Sequence, residues 1–164
     1  MKRLTLVRHA KSDWSLPEQR DWDRPLNKRG QQDAPEMGRR LRQRKLTPDL
    51  ILTSPAVRAL ATATIIAREL RFPSERMQQD ERLYLSSAED MLAVIREFGG
   101  EARHLMVVGH NPGITEFADR IADDRRIDHM PTCAVVSGLV NLRDWRDLAW
   151  QTAIEVELDY PKKA

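Results

Sequence analysis

One cysteine in 164 residues, no apolar run of membrane-spanning length and almost no net charge together exclude several classes of protein. Cys133 has no partner for an internal disulfide. It sits in the apolar run CAVVSGLV, where a buried strand cysteine is expected, and a reducing compartment is compatible with it. The opening MKRLTLVRHA is basic but holds only a brief apolar stretch, so no signal peptide is expected, and no later segment is apolar enough for a bilayer. A soluble cytoplasmic protein is the expectation. Twenty-seven basic residues against 25 acidic ones leave a formal charge of +2. Despite a pI near 8.9, that balance does not suggest a nucleic-acid surface. Internal repeats, low-complexity segments and domain linkers are missing too, so residues 1–164 read as one domain. No carboxylate or cysteine cluster has metal-ligand spacing, and no heptad or large apolar stripe demands a partner copy. A monomer without metal is expected.

What remains is ordinary soluble composition, 41% hydrophobic and 32% charged, arranged in an informative order. Short apolar runs at 4–7, 50–53 and 105–108 alternate with longer helical patterns, which predicts βαβ units around a largely parallel sheet covered on both faces. Ser54-Pro55 reads as an N-cap with proline at the first helical position, followed by a buried face of Val57, Leu60, Ala61, Thr64 and Ile65. Asn111-Pro112 repeats that device before a helix to about Ala122. Ser87 and Asp90 resemble a capping box ahead of the stripe Met91, Leu92, Ile95 and Phe98. Pro35 should divide 27–45 into a turn and then a helix. Near the C-terminus, CAVVSGLVNL and TAIEVEL read as a hairpin joined through 143–150; Thr152, Ile154, Val156 and Leu158 alternate with polar residues.

Three separated phrases carry the chemistry: Arg8-His9 in LTLVRHAKSDW, Arg58 in ILTSPAVRALATAT and His110 in LMVVGHNPGI. Each follows a predicted strand, and ligands of parallel α/β sheets bind outside the carboxyl ends of the strands. Two helix N-termini aim free N–H groups at the same edge, which suits an anion, and planar arginines suit a phosphoryl group. His9 would attack phosphorus as a neutral imidazole, with Arg8 and Arg58 disfavouring the imidazolium. Arg8 and Arg58 would hold the equatorial oxygens, and a protonated His110 would donate to the transferring group. Singly, each of these residues is better read as structural or exposed; together they are not. His104 and His129 have no such context and read as structural or exposed. The basic run Arg39, Arg40, Arg42, Arg44 and Lys45 reads as a solvated helix face. Trp14 and Trp22 flank the first loop, suited equally to a substrate mouth and to packing, whereas Trp145 and Trp150 read as packing residues. Asp23 reads as a loop anchor.

Together the phrases VRHAKSDW, DRPLNKRGQQDA, ILTSPAVRALATA and VVGHNPGI resemble, over nearly the whole chain, the histidine phosphatase superfamily, which includes phosphoglycerate mutases and acid phosphatases. The resemblance implies a three-layer α/β/α sandwich with a mostly parallel sheet, no cofactor, and a pocket of Arg8, His9, Arg58 and His110, with Ser12 near the phosphate. Ala10 replaces the family's usual glycine after the nucleophile. Mutases and phosphomonoesterases of the superfamily place a catalytic glutamate about where Leu85 stands, in DERLYLSS, and this chain has none there. An alcohol leaving group needs a placed acid, a contribution of roughly 10²–10⁴-fold. A phosphorylated imidazole can be protonated before it leaves. The missing acid and compact length therefore resemble the small bacterial phosphohistidine phosphatases, with phosphorylated protein as substrate. Asp80 and Glu81 are the alternative acids. A phosphomonoesterase of small metabolites is the rival enzyme, and a phosphate-binding module without turnover is the rival of another class.

Overall fold

The computed structural model describes residues 1–163. It alternates strands and helices as the patterning predicts: β1 (Lys2–Arg8), α1 (Lys28–Gln43), β2 (Leu50–Thr53), α2 (Val57–Glu69), β3 (Met77–Gln79), α3 (Ala88–Phe98), β4 (His104–Gly109), α4 (Gly113–Ile121), β5 (Val135–Val140) and β6 (Ile154–Asp159). The strands form one mixed sheet in the order β3-β2-β4-β1-β5-β6. The first four are mutually parallel, and β5 and β6 add an antiparallel edge. β4 lies mid-sheet and is buried along its whole length, which its uninterrupted apolar sequence requires.

Each face of the sheet carries a separate core. α3 and α4 pack Met91, Ile95, Ile114 and Phe117 on one side. α1 and α2 pack Met37, Leu41, Ala63 and Ile66 on the other, so the molecule is an α/β/α sandwich. Full burial of such side chains contributes about 1.5–3 kcal/mol each before conformational entropy is counted. The basic run of α1 is more engaged than a solvated face: Arg40 bonds Asp159 and the carbonyls of Tyr160 and Pro161, and Arg44 pairs with Glu157. No helix among the described residues is long and apolar enough to cross a membrane.

Five local expectations are corrected. Pro35 lies inside α1 rather than ending a turn before it. It costs the helix one backbone bond, and the buried row Ala34, Met37, Gly38 and Leu41 holds the helix continuous. The buried face of α2 is Arg58, Ala59, Thr62, Ala63, Ile66 and Ala67, two positions on from the face expected, and Val57 is exposed. Ser54 is also no N-cap: the helix starts only at Val57, and the cap residue is Ala56 with no side-chain bond. Likewise Asn111 does not cap α4; its Oδ1 accepts from Thr115 Oγ1 at 2.6 Å while its Nδ2 donates to the Met130 carbonyl. Cys133 is buried in the turn before β5 with φ of 61°, not within the strand. The Ser87 cap stands as expected, accepting from Asp90 N at 3.1 Å.

Two glycines bring loops to the sheet edge that the parallel strands point towards. A Cβ at Gly30 would lie 2.2 Å from the Lys11 carbonyl oxygen, and one at Gly113 would lie 1.9 Å from that of Ser86. Only glycine lets the loop after β1 rest on α1, and the 84–87 loop on the start of α4.

Candidate active site

Arg8 is the last residue of β1, and His9 follows it. His110 follows β4 directly, and Arg58 lies in the first turn of α2. Because β1 and β4 are parallel neighbours, with Arg8 in register with Gly109, both histidines emerge side by side. Their ring centroids are 5.1 Å apart. Arg58 bridges them: Nε lies 3.4 Å from His9 Nε2, and Nη2 lies 3.4 Å from His110 Nδ1. Thr62 fixes this arrangement by accepting from Ala10 N at 2.9 Å and donating to the Arg58 carbonyl at 2.8 Å. The four expected pocket residues therefore converge, with His9, Arg58 and His110 7%, 3% and 2% exposed.

Hydrogen bonding assigns the tautomers. His9 Nδ1 lies 2.7 Å from the Ala10 carbonyl, which can only accept, so the proton sits on Nδ1 and the lone pair on Nε2, towards Arg58. His110 Nδ1 faces a guanidinium that can only donate, so its proton sits on Nε2, 2.8 Å from Ser54 Oγ. Burial, ahead of the charges of Arg58 and Arg8, pushes the His9 pKa down to about 4. For His110, burial followed by His9 and Arg58 pushes it to about 3. Both rings are neutral near pH 7, and burial contributes more to this than the arginines to which the sequence reading credited it. The donor role of a protonated His110 is therefore not open to it near pH 7. Since a hydroxyl both donates and accepts, Ser54 also accommodates the other neutral tautomer, which can donate from Nδ1.

A cavity of about 360 Å³ opens here, lined by the four residues together with Ser12, Trp14, Asp21, Arg24 and Leu85, among others. Larger cavities exist, including one of about 580 Å³ beside Trp150, but it gathers carboxylates and arginines without a nucleophile–base pair. Arg8 Nη1 donates to the Met130 carbonyl at 3.0 Å, which leaves Nε of Arg8 buried without a partner. Arg24 Nε is the other such atom among the described residues. Two orphaned cationic donors on one cavity mark an anion site, because buried donors are otherwise almost always satisfied.

Asp21, Arg24, Tyr84 and Ser54 escaped the sequence reading as site residues. Asp21 accepts from Arg58 Nη2 at 2.8 Å, while its carbonyl accepts from Nη1 at 2.7 Å. Tyr84 Oη donates to the same carboxylate at 2.5 Å, and Arg24 pairs with it. Burial alone would raise the Asp21 pKa, but bonds from Tyr84 and Arg58 outweigh it and hold the group below the usual carboxylate range. The neighbouring Asp23, read as the anchor, pairs with Arg20 at the surface. The only sequence signal for Asp21 was its place in a polar loop between two tryptophans. Trp14 lines the cavity, 69% exposed, with the Arg24 guanidinium 3.1 Å from its ring centroid. Trp22 instead packs edge-on against Tyr84.

Neither alternative acid lines the cavity. Asp80 caps the turn after it and pairs with Arg82 at 2.9 Å, whose hydrogen bonds hold its pKa low, and Glu81 is exposed. Leu85, 54% exposed with φ of 48°, occupies the cavity wall instead. No group of three potential metal ligands occurs among the described residues.

Comparison with known proteins gives a consistent result. Residues 4–84 match the histidine phosphatase superfamily (branch 1). SixA of Agrobacterium tumefaciens, by its name a candidate phosphohistidine phosphatase, superposes with a TM-score of 0.78 at 27% identity, covering 95% of this chain and 97% of that one. The protein histidine phosphatase SixA complexed with tungstate shares the fold, with a TM-score of 0.81, 18% identity and 97% of each chain covered. Phosphoglycerate mutase 1 of Saccharomyces cerevisiae is 35% identical over 108 residues, which are 62% of this chain and 44% of the mutase. The chain spans about half the length of the curated relatives it matches.

Proposed function

The chain belongs to the histidine phosphatase superfamily, and on that premise we propose that it is a phosphatase that hydrolyses phosphohistidine in proteins without a metal ion. One observation carries this reading. The only carboxylate lining the cavity among the described residues is Asp21, and three donors hold it ionised. An enzyme for phosphate esters needs a protonated group beside the leaving oxygen. Leu85, Asp80 and Glu81 supply none. The imidazole of phosphohistidine takes its own proton from water and leaves as a neutral ring.

In the first step the His9 Nε2 lone pair forms a bond to phosphorus while the P–N bond of the protonated substrate imidazole breaks. Arg8, Arg58 and Arg24 hold the equatorial oxygens, where their fixed positive charges stabilise the negative charge of the transferring group. His110, turned to its Nδ1–H tautomer by Ser54, donates to the same group as a neutral ring. Water then attacks phosphorus, the bond to His9 breaks, inorganic phosphate leaves and the imidazole is restored. Ser12 contributes to the wall near the phosphate. The expected setting is a cytoplasmic monomer acting on a phosphorylated protein.

The test is turnover of a phosphohistidine-bearing protein and of an alkyl phosphate, without added metal, by the wild type and by His9→Ala. Release from phosphohistidine that depends on His9 and exceeds ester turnover is expected. Equal or better ester turnover would overturn the reading in favour of a phosphomonoesterase. Phosphate binding with no turnover of either would favour a binding module.

A further inference from the structure

Next to the catalytic cavity lies a second, smaller one of about 200 Å³, and the two share Lys11 and Thr132 as a common wall. Its remaining lining comes from the first turns of α1 (Arg29 and Asp33), from Pro131, and from the segment after β6 (Tyr160, Pro161 and Lys162). Three cations thus face one carboxylate, a net of two positive charges. Asp33 is committed to Arg29 at 3.4 Å, and the Lys11 and Lys162 ammonium groups have no acidic partner within 4 Å among the described residues. Rigid segments hold the cavity. Cys133 N donates to the His9 carbonyl at 3.0 Å, Asn27 N donates to the Lys11 carbonyl at 2.9 Å, and Arg40 clamps the carbonyls of Tyr160 and Pro161.

We infer that this cavity is a subsite for a second anionic group of the substrate, a carboxylate carried beside the transferring phosphoryl group. Lys11, Arg29 and Lys162 supply the charge, and Tyr160 with the two prolines supplies an apolar floor. The assignment rests on the phosphatase reading, because it uses the catalytic cavity as the phosphoryl site. Two sources present such a carboxylate: an acidic side chain flanking phosphohistidine in a protein, and the carboxylate of a small phosphorylated acid. Three cations in a partly enclosed cleft favour either over a neutral group at the same place, and the preference weakens with salt.

Lys162→Glu is the informative variant, since Lys162 is exposed, near the chain end and outside the catalytic cavity. Three substrates are compared: phosphoramidate, which has no second anion, and a phosphohistidine peptide with glutamates or with glutamines beside the phosphorylated residue. Roughly a fivefold loss in kcat/KM is expected for the glutamate peptide alone, carried by KM and shrinking as salt is raised. Equal effects on all three, or none on the glutamate peptide, overturn the subsite for protein substrates. Calorimetric binding of phosphoglycolate against methyl phosphate tests the small-acid source without turnover. A preference for phosphoglycolate that Lys162→Glu removes supports the subsite even if phosphohistidine turnover is absent. No preference in the wild type, together with no peptide effect, overturns the subsite altogether.

Discussion

β4 begins with one buried histidine and ends just before another, and the two ends behave differently. At its start His104 is 9% exposed, and burial followed by the charge of Arg3 pushes its pKa to about 4. At its far end burial and its neighbours push His110 to about 3 and His9, alongside, to about 4. A depressed histidine pKa therefore does not separate the two places. The company does. His104 Nε2 lies 2.7 Å from Thr5 Oγ1, which reaches Ser137 Oγ at 3.1 Å, itself bonded by Arg3. That chain of partners is closed. At the other end the rings face each other across a cavity, beside two arginines whose Nε atoms have no partner. Buried charge left incompletely satisfied around a cavity, rather than a perturbed titration alone, distinguishes a site from a satisfied core.

Truncating each end should separate chemistry from stability. His9→Ala should abolish covalent turnover, with a loss of at least about 10³-fold in kcat, because it removes the imidazole nitrogen that takes the phosphoryl group. Its melting temperature should change little. Loss of activity accompanied by unfolding would erase the contrast. Next in size is Asp21→Asn, which removes the charge fixing Arg58 and leaves a group that is neutral and can donate. A 10- to 100-fold fall in kcat/KM is expected, corresponding to about 1.4–2.7 kcal/mol in the transition state. An increase in kcat/KM would mean that Asp21 screens Arg58 from the substrate instead of orienting it.

His104→Ala is the reverse experiment. It leaves the Thr5 hydroxyl buried without its partner and opens a void, a combined cost of about 2 kcal/mol, or about 6 °C in Tm for a chain of this size. kcat should be untouched. A drop in kcat without a drop in Tm would show that the start of β4 is coupled to the chemistry at its end.

The two ends were not equally legible in the sequence. Strands β1, β2 and β4 are short apolar runs followed by turn residues, so the sheet and the convergence of Arg8, His9, Arg58 and His110 could be read from pattern alone. What pattern cannot give is which residue of a polar loop swings inward. Asp21 and Asp23 stand two positions apart in the same loop; one anchors Arg58 and the other pairs with Arg20 at the surface. The partners that decide between them come from elsewhere in the chain, Arg58 and Tyr84, which both bond the Asp21 carboxylate. The α2 register slipped for a related reason. Ser54 has the chemistry of a cap, but its hydroxyl serves His110 and the N–H of Ala56 only two residues on, and the helix starts later, at Val57. Pro35 is the tertiary counterpart, a local breaker overruled by a buried helix face.

Acid should act on both ends in stability but spare the chemistry for longest. All three histidine pKa values are lowered from 6.5, so the folded state binds fewer protons than the unfolded one. Their contribution is complete above about 6.5 and is lost as pH falls towards about 4 for His9 and His104 and towards about 3 for His110. Melting curves should therefore decline across that window, and the Tm gap between wild type and His104→Ala should narrow with them. The kcat/KM of the folded enzyme should stay level down to about pH 5, since the His9 lone pair is retained there. An acid limb near 6.5 would mean that the nucleophile is far more solvated than its burial implies.

Tyr84→Phe gives the smallest expected change. The phenol is one of several donors to Asp21, and its ring packs edge-on to both Trp22 and His110, with centroids 4.7 and 5.4 Å away. Phenylalanine keeps both ring contacts and removes only the hydroxyl. Asp21 is partly exposed, so water can replace the lost donor while Arg58 and Arg24 remain in place. A net hydrogen bond is worth about 0.5–1.5 kcal/mol, and solvent replacement puts this case at the lower end, roughly threefold in kcat/KM with Tm unchanged. If Tyr84→Phe cost as much as Asp21→Asn, the hydroxyl and not the Arg58 pair would be what keeps Asp21 turned inward. The order of supports around the catalytic arginine would then run from α3's side of the sheet rather than from α2.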